Sequence, residues 1–307
     1  MKVLGIDTSN YTTSVAVVDD SGYRHAREIL DVKEGERGLR QSDALFLHVK
    51  NLPRLMEQLG AGDVDAVSYS SRPRAVDGSY MPCFLAGEAV ARSVAATLGV
   101  PCFAFSHQAG HIEAAVRTCG EKLGDKFLAF HLSGGTTEIL FARADGDEGW
   151  LCDIVGKTLD ISAGQLIDRT GVLLGLKFPA GAELEKLATA CADKIKDARP
   201  TVRDGSCNLS GAENKIGKLI LSGAAREYVA RYAIEYVART VIEMTAAARE
   251  KYPFLPVVYA GGVMRNEIMR RMLASEFDGI CFAKTELSSD NAVGTAYLGL
   301  KKIGGGK

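Results

Sequence analysis

One pattern occurs twice in this chain: an apolar strand, a turn of small polar residues, and a second apolar strand. The first copy occupies residues 5–22 and the second occupies residues 130–146. In each copy an apolar run ends in Ser, Thr, Gly or Asn, and an alternating run then leads to a reverse turn. Two such hairpins, one opening each half of the chain, predict two lobes that face a phosphate between their turns.

Length and composition agree with a two-lobe protein. A chain of 307 residues suits about two domains, and 47% hydrophobic with 24% charged residues is typical of packed globular cores. The net charge of −1 provides no overall attraction to nucleic acid. Binding of a nucleic acid would therefore require a local basic patch. Candidate basic patches are residues 33–40, Arg72 with Arg74, and residues 194–218. Solvated loops are the alternative interpretation of all three.

The cysteine pattern and the first residues bear on the compartment. The chain has seven cysteines, and none of them forms a CxxC motif or a close pair. This pattern argues against a disulfide framework or a thiolate zinc site, and it fits a reducing cytosol. The chain begins directly with a strand, so we expect no signal peptide. No apolar run reaches the roughly 18 residues of a membrane span. We therefore expect a cytoplasmic protein without a membrane partner.

Helical and strand patterns alternate along the chain, which is typical of α/β architecture. Helices are predicted at residues 43–59, 84–98, 107–117 and 161–174, from 182, at 223–251, from 265 and at 291–302; further strands are predicted at 64–70, 101–105 and 256–262. Residues 198–217 are predicted to form a polar loop. We divide the chain into a first lobe, 1–122, and a second lobe, 123–307, whose last helix could pack back on the first lobe.

The two hairpin turns are candidate phosphate sites. Residues 133–137, Ser-Gly-Gly-Thr-Thr, offer hydroxyls and backbone N–H groups without bulky side chains, which close approach to a phosphate requires. The first turn, with Asp7, Ser9 and Asn10, has fewer glycines but more polar side chains. Plain hairpin turns are the alternative, because Ser, Gly and Asn are common in them.

A second candidate nucleotide contact is the strand that ends in Gly261 and Gly262 and leads to a helix carrying Asn266. A strand, two glycines and a helix N-terminus let the backbone lie flat against a nucleotide. A tight strand-to-helix connection without a ligand is the alternative.

Two histidines are spaced for a metal site. His107 and His111 lie four residues apart on a predicted helix and therefore on one face, where two imidazoles can bind a divalent ion. His131 ends the strand before the Ser-Gly-Gly turn, and Asp290 precedes a predicted helix. These four would suit iron or zinc; surface or capping histidines are the alternative. A metalloprotease of the His-Glu-x-x-His type is excluded, because Gln108 stands where the general base is needed.

Eight segments together resemble one known family. In chain order they are KVLGIDTS, VDAVSYS, HQAGH, LSGGTTE, GKTLDISAGQLIDRTGVLLGL, Pro-Ala-Gly at 179–181, AGGVMRN and SSDNAVGTAYLG. The chain resembles the tRNA threonylcarbamoyladenosine synthases, once mislabelled as glycoproteases, over nearly its whole length. The resemblance implies the actin-like ATPase fold, with two ribonuclease-H-like lobes around a nucleotide cleft.

The resemblance also assigns roles to individual residues. It implies that His107, His111 and Asp290 bind a metal, with His131 as a fourth ligand where archaeal relatives present a Tyr. The predicted phosphate and adenosine contacts are Ser133, Gly134, Gly135, Thr136, Asp168, Gly181, Gly261, Gly262 and Asn266. The predicted catalytic residues are Asp7, Ser9 and Thr12 of the first turn.

The reaction implied by the resemblance uses threonylcarbamoyl-adenylate as donor. The exocyclic amine of an adenosine in a tRNA anticodon loop attacks the donor, and AMP leaves. The implied cofactors are one divalent metal, iron or zinc, and ATP, AMP or the adenylate. The implied partners are tRNA, a shorter paralogue of the same fold and a P-loop ATPase.

Several positions depart from the family pattern. Tyr11 and Thr12 replace an acidic pair, Thr136 replaces His or Asn, Ala109 replaces Glu, Arg72-Pro73-Arg74 replaces Gly-Pro-Gly, and Ile161 replaces the second of two acids. The predicted metal and nucleotide contacts persist while catalytic and partner-facing positions change, so the chain looks like a divergent paralogue. Two functions stay open: a threonylcarbamoyl or carbamoyl transferase, and a non-catalytic, regulatory protein that binds nucleotide and metal.

Overall fold

A computed structural model of the chain describes residues 1–9, 11–30, 39–119, 123–287 and 290–305. The first of its two units comprises Met1–Thr118, Arg143–Cys152 and Glu286–Lys307. The second comprises Cys119–Ala142 and Asp153–Thr285. The sequence-based division after residue 122 lies near the first crossing between units, and the chain crosses again near residues 142, 152 and 285.

Strands and helices alternate as the sequence pattern predicts. The strands are β1 Val3–Asp7, β2 Thr12–Asp19, β3 Gly22–Ile29, β4 Ala66–Arg72, β5 Cys102–Ser106, β6 Lys126–Leu132, β7 Thr137–Asp145, β8 Gly149–Lys157, β9 Thr201–Arg203, β10 Ser206–Asn208, β11 Val257–Ala260 and β12 Ile280–Phe282. The helices are α1 Gln41–Leu59, α2 Phe84–Leu98, α3 His107–Cys119, α4 Ala163–Leu173, α5 Gly181–Ala190, α6 Ser210–Leu221, α7 Arg226–Lys251, α8 Glu267–Glu276 and α9 Val293–Ile303. In the described ranges, no helix has the length and apolar composition that crossing a membrane requires.

Both units contain a five-stranded sheet of the same topology. The strand order is β3-β2-β1-β4-β5 in the first unit and β8-β7-β6-β11-β12 in the second. β1 pairs antiparallel with β2 and parallel with β4, and β6 pairs parallel with β11. The repeated hairpin of the sequence therefore corresponds to β1–β2 and β6–β7, and the α/β fold class is confirmed.

The sheet of the first unit is covered on both faces at its central strand β1. Leu4 of β1 packs with Leu52 of α1, whereas Val3 packs on the opposite face with Ala296 of α9. Because successive strand residues point to opposite faces, a strand covered on both sides is apolar on both faces, as β1 is up to Asp7 at its end. A Cβ on Gly5 would lie 2.6 Å from the carbonyl oxygen of Ala292, so α9 is packed close to the β1 backbone.

The long helix α7 lies in the core of the second unit. Val237 and Met244 are fully buried and belong to the same apolar cluster as Leu128 and Phe130 of β6. Fourteen of the 26 residues of α7 are buried, which a helix with a single apolar stripe does not achieve. The second unit is therefore built around α7.

The prediction of a polar loop over residues 198–217 is wrong. The stretch forms β9, β10 and the first turns of α6, which begins at Ser210. The N-terminus of α6 is satisfied by Asp160, which accepts hydrogen bonds from the backbone N–H groups of Leu209 (2.8 Å) and Ser210 (3.1 Å). Burial opposes charge on Asp160, yet these hydrogen bonds lower its pKa to about 2. The cap lies 49 residues upstream of Leu209, so the local sequence shows only part of the helix start, the Ser-x-x-Glu spacing of Ser210 and Glu213.

The cysteine pattern also gave an incomplete expectation. Cys119 and Cys281 form a disulfide within the second unit, across a sequence separation of 162 residues. Tertiary proximity decides such a pairing, so the absence of close cysteine spacings does not exclude it. The cysteine pattern therefore no longer supports a reducing compartment.

His48 on α1 is a fully buried ionisable residue in the first unit. Its Nδ1 lies 2.8 Å from Oγ1 of Thr13, and no group in the described residues bonds to its Nε2. Burial lowers the pKa of His48 to about 4, against the opposing effect of Asp7. The native protein therefore holds a neutral imidazole at neutral pH.

We predict that His48 reduces stability as the pH falls from about 6.5 to about 4, from the ordinary pKa of the unfolded chain to that of the native state. In this window the unfolded chain binds a proton on His48 and the native protein does not. The free energy of unfolding then falls by up to roughly 1.4 kcal/mol per pH unit. Urea titrations of wild type and His48→Asn at several pH values measure this: the variant should show the shallower pH dependence, and equal slopes would contradict a neutral, buried His48.

Candidate metal centre and nucleotide-binding turns

Three side chains of the first unit meet at one point. His107 and His111 lie one turn apart at the start of α3, and Asp290 precedes α9. Nε2 of His111 lies 2.9 Å from Nε2 of His107 and 3.1 Å from Oδ1 of Asp290. Nε2 of His107 lies 3.6 Å from the same oxygen. Each residue can offer one ligand atom, and these atoms lie within 4.8 Å of one another.

Asp7, at the end of β1, is in contact with His107 rather than with solvent. It is 1% exposed, and its Oδ2 lies 2.6 Å from Nδ1 of His107. The same oxygen accepts a hydrogen bond from the hydroxyl of Ser70 (2.6 Å), and Oδ1 accepts one from the backbone N–H of Ser9 (2.8 Å). A carboxylate on one ring nitrogen fixes the ring so that the other nitrogen is available to a metal. This geometry suits a residue that orients His107.

The two carboxylates create a negative environment around His107. Burial opposes a positive charge on the ring, but Asp7 and Asp290 outweigh it and raise the pKa of His107 to about 10. Burial also opposes charge on Asp290, but hydrogen bonds with His107 and His111 hold the pKa of that carboxyl well below its usual range. Surroundings that stabilise a proton here also stabilise a cation in its place.

The chemistry of the three donors fits a divalent metal ion. Zinc binds imidazole nitrogen and carboxylate oxygen at about 2.0–2.2 Å, which places the ligand atoms of a tetrahedral site roughly 3.4 Å apart. The three separations, 2.9, 3.1 and 3.6 Å, lie around that value. Two imidazoles and one carboxylate are also the ligands of many non-haem iron sites. The residues present therefore suit either metal.

Helices α3 and α9 contact each other backbone to backbone beside these three residues. A Cβ on Gly294 would lie 1.8 Å from the carbonyl oxygen of Gly110, and a Cβ on Gly110 would lie 2.6 Å from Oγ1 of Thr295. Gly110 directly precedes His111, and Gly294 follows Asp290 by four residues. The two glycines permit the approach that brings Asp290 to the histidines.

Two residues of the first turn lie beside the same group. Oγ1 of Thr12 lies 3.5 Å from Oδ2 of Asp290. Ser9 is 2% exposed, and its hydroxyl has no hydrogen-bond partner in the part of the chain that the structure describes. Asn10, and Ser288 and Ser289 before Asp290, lie outside the described residues. Catalytic roles for Asp7, Ser9 and Thr12 stay predictions.

His131 belongs to the second unit. It lies on β6, where it pairs in register with Ala260 of β11. The group formed by His107, His111 and Asp290 does not include it. The role of His131 as a fourth ligand stays a prediction.

The turn at 133–136 exposes bare backbone. It is closed by two hydrogen bonds, from the N–H of Ser133 to the carbonyl oxygen of Thr136 (2.8 Å) and from the N–H of Thr136 to the hydroxyl of Ser133 (3.1 Å). Gly134 and Gly135 between them are exposed, and a Cβ on either would meet no atom within 4 Å. The folded chain therefore does not itself require glycine there, whereas an anion bound to the backbone would.

The N-terminus of α4 packs against this turn. The hydroxyl of Ser162 donates to the carbonyl oxygen of Gly134 (2.6 Å), and the N–H of Gly164 donates to the carbonyl oxygen of Ser133 (3.2 Å). A Cβ on Gly164 would lie 2.5 Å from the Ser133 oxygen, so here the fold itself requires glycine. The position of the turn is therefore fixed by α4.

Asp168 and Gly181 lie where α4 meets the start of α5. Oδ1 of Asp168 accepts a hydrogen bond from the N–H of Ala180 at 2.8 Å. No hydrogen bond to its Oδ2 occurs in the described ranges, and the role of Asp168 as a ribose contact stays a prediction. A Cβ on Gly181 would meet only a methyl group of Ile167, at 3.9 Å.

The segment after β11 combines structural and open positions. Gly261 has φ +99°, and a Cβ on it would lie 2.1 Å from the carbonyl oxygen of Leu132. A Cβ on Gly262 would meet nothing within 4 Å. The side chain of Asn266 caps α8 by accepting the N–H of Met269 at 3.0 Å. Gly261 and Asn266 thus have roles in the fold, whereas only Gly262 is open to a ligand.

The predicted basic patches differ in their surroundings. Arg72 forms an ion pair with Glu148, which offsets its charge. In the patch at 194–218, Lys215 donates to the carbonyl oxygen of Asp197 (3.4 Å) and most basic residues are exposed. Residues 33–38 lie outside the described residues. Binding of tRNA by these patches stays a prediction.

Sequence reasoning missed Ser70 and Ser162. Ser70 donates to Asp7 and is fully buried on β4, where a covered strand normally carries only apolar residues. Its polarity within VDAVSYS was the available signal. Ser162 with Gln165 forms a capping box, whose Ser-x-x-Gln spacing is visible in the sequence.

Comparison with protein families matches residues 26–297 to TsaD, the tRNA N6-adenosine threonylcarbamoyltransferase family. The chain belongs to this family. The resemblance inferred from the eight sequence segments is therefore confirmed.

Solved structures agree on the fold. Full-length HypF in its phosphate- and nucleotide-bound form matches with a TM-score of 0.63 at 14% identity; the match covers 99% of this chain and 56% of HypF, so the chain spans about half its length. Component A of (R)-2-hydroxyglutaryl-CoA dehydratase from Acidaminococcus fermentans gives 0.58 at 14% identity, over 99% of both chains. A ROK family glucokinase from Streptomyces griseus with glucose and AMPPNP gives 0.55 at 14% identity, over 97% and 99%. These matches confirm the actin-like ATPase fold.

We predict that His107→Ala and Asp290→Ala lower the bound metal, because each leaves only two of the three donors. Elemental analysis of the purified variants measures the metal, and circular dichroism checks folding. His25→Ala, on β3 of the same unit, is the control and should keep wild-type metal. Unchanged metal in the first two variants would refute the site. His131→Ala tests the fourth ligand separately, and full metal affinity in that variant would count against it.

We predict that Gly135→Ala keeps its stability within about 0.5 kcal/mol of wild type, because the new Cβ enters open space. Its affinity for ATP should fall, since the methyl group occupies the approach to the backbone. Gly164→Ala is the opposite case and should lose about 1–3 kcal/mol of stability through its clash with Ser133. Calorimetric titration with ATP and thermal unfolding measure both effects. Wild-type ATP affinity in Gly135→Ala would exclude this turn as the phosphate site.

Proposed function

We propose that this protein transfers a threonylcarbamoyl group from an adenylate donor to the N6 amine of a tRNA adenosine, with a divalent metal bound in the first unit. The proposal depends on one observation: His107, His111 and Asp290 converge, with Asp7 holding the His107 ring, in a chain of the threonylcarbamoyltransferase family. Both the donor set and the family support a metal-dependent transferase.

In the first unit, His107, His111 and Asp290 would hold iron or zinc, which when bound supplies a Lewis acid for negative charge developing on carbonyl and phosphate oxygens. Asp7 keeps His107 in the orientation that presents Nε2 to this point. The hydroxyls of Ser9 and Thr12 are the proposed contacts of the first turn with the donor. The Ser9 hydroxyl is buried and has no hydrogen-bond partner among the described residues, so it would need to become accessible when the donor binds.

In the second unit, the bare turn would bind the phosphate of ATP, AMP or the adenylate. Backbone N–H groups at Gly134 and Gly135 and the hydroxyls of Ser133 and Thr136 are suited to phosphate oxygens. Oδ2 of Asp168 would accept from the ribose, as acids do at comparable nucleotide sites. The open positions Gly181 and Gly262 leave room for the adenosine.

The reaction forms a C–N bond and breaks a C–O and an N–H bond. The lone pair of the adenosine N6 amine attacks the carbonyl carbon of the donor, the bond from that carbon to the phosphate oxygen breaks as AMP leaves with its electron pair, and the proton of the amine passes to water. An adenosine in a single-stranded loop costs little to unstack. The exposed basic residues within 194–218 are the candidate tRNA contact, and a shorter paralogue and a P-loop ATPase are the proposed protein partners.

A regulatory protein that binds nucleotide and metal without turnover is the second candidate. It is favoured by Tyr11 and Thr12, which stand where relatives usually carry two acids. Such a protein would keep the metal ligands of the first unit and the phosphate turn of the second unit, and would lack the groups that promote transfer.

We predict that the protein releases AMP from synthetic threonylcarbamoyl-adenylate faster with unmodified tRNA than without it. Liquid chromatography measures AMP, and mass spectrometry of digested tRNA detects the modified nucleoside. Asp290→Ala should lower the rate by about 100-fold or more, because the metal would be lost, whereas His25→Ala should not change it.

The two candidates predict different results in this assay. Tight ATP binding without AMP release, with tRNA or any other acceptor, would contradict the transferase and favour the regulatory protein. AMP release that tRNA does not accelerate would contradict the tRNA acceptor while leaving donor chemistry intact.

A further inference from the structure

Glu113 is a fully buried carboxylate two residues after His111 on α3. Its Oε1 accepts a hydrogen bond from Nε of Arg117 at 2.9 Å. Its Oε2 accepts one from the indole N–H of Trp150 at 2.8 Å and one from Nζ of Lys301 at 2.5 Å. A buried carboxylate is tolerated only when it is paired in this way, so these contacts act as one unit.

The partners of Glu113 come from different segments of the first unit. Lys301 lies on α9, and Trp150 lies on the part of β8 that belongs to this unit. Nζ of Lys301 also lies 5.3 Å from the centre of the Trp150 ring, and the Arg117 guanidinium lies 4.5 Å from the ring of Tyr297 on α9. The network therefore joins α3, α9 and the tip of the β7–β8 hairpin.

Helix α9 is thus held against α3 at two levels. The first is the contact of Gly294 with Gly110, beside the proposed metal ligands. The second is the contact of Lys301 with Glu113, about two turns further along α9, or roughly 10 Å at 1.5 Å per residue. The sheet also contacts α9, through Gly5 and Ala292, and the Lys301 contact adds a tie between α3 and the far end of α9 that helps to fix the angle between the two helices. Asp290 lies just before α9, so a pivot of α9 would move its carboxylate.

We propose that Glu113 is a positioning residue for the metal centre. By holding Lys301 and Trp150, it keeps α9 at the angle at which Asp290 reaches His107 and His111. This inference rests on the metal centre of the proposed function and adds a residue that is not itself one of the proposed ligands.

Glu235 on α7 provides a matched control. It is also nearly buried and accepts hydrogen bonds from two cations, Nε of Arg231 (2.7 Å) and Nη2 of Arg239 (2.8 Å). Both arginines lie one turn away on the same helix, in the second unit. Loss of the Glu235 charge removes similar hydrogen bonds, but these bonds lie within α7, so no helix loses its contact with another helix.

The test is the zinc affinity of metal-free protein, titrated with Zn²⁺ in competition with a chromophoric chelator. Glu113→Gln should raise the Kd for zinc about tenfold, the usual effect of losing a residue that supports a metal ligand. Glu235→Gln should keep the wild-type Kd, even if thermal unfolding shows a similar loss of stability. Lys301→Met should also weaken zinc binding, and its side chain is 44% exposed, so it tests the same contact if Glu113→Gln does not fold.

Three results would overturn the inference in distinguishable ways. Wild-type zinc affinity in Glu113→Gln or in Lys301→Met, with zinc lost in His107→Ala, would remove the role of Glu113 and leave the metal centre intact. Equal weakening in Glu113→Gln and Glu235→Gln would reduce the effect to general destabilisation. Equal zinc binding by wild type and His107→Ala would overturn the metal centre itself, and this inference with it.

Discussion

The first unit depends on two carboxylates that share one imidazole. Asp7, which is 1% exposed, would cost several kcal/mol as an isolated buried charge. The His107 ring and the Ser70 hydroxyl offset that cost, and Asp290 adds a second negative charge on the far side of the ring. These groups come from β1, β4, α3 and the segment before α9. The beginning, the middle and the end of the chain must therefore assemble together for any of these charges to be stable.

The fold was predictable where periodicity is strong and unpredictable where the partner is distant. The apolar spacing of α2 gave its bounds, Phe84–Leu98, without error, and the repeated hairpin gave the duplication. Strand β3 was missed as a separate element because it is largely exposed, GYRHAREI, and carries no alternating apolar pattern. Helix α6 was missed although Ser210 and Glu213 have the spacing of a local start signal, because glycine and polar residues dominate the stretch and the cap that completes the helix start, Asp160, lies far upstream. Local patterns cannot contain such information.

The candidate site was likewise predictable from local spacing and unpredictable where it depends on distant segments. A four-residue spacing places His107 and His111 on one helix face, which sequence alone can state. The convergence of Asp290 on that face needs the packing of α9 on α3. The sequence offered Asp290 only as a candidate carboxylate before a helix, and the family resemblance then implied that it is a ligand. The contact of Asp7 with His107 likewise arises from the topology, because β1 ends where α3 begins. The Cys119–Cys281 disulfide is a further example of long-range proximity that no spacing rule detects.

The open space around Gly134 and Gly135 separates ligand binding from folding. Elsewhere, as at Gly164 and Gly261, the folded backbone itself excludes a side chain. A screen that selects only for stability would accept substitutions at Gly134 and Gly135 and would discard them at Gly164. Under the proposed function, variants in this turn would therefore lose ligand affinity and keep their thermal stability. Such variants would serve as well-folded controls in binding experiments.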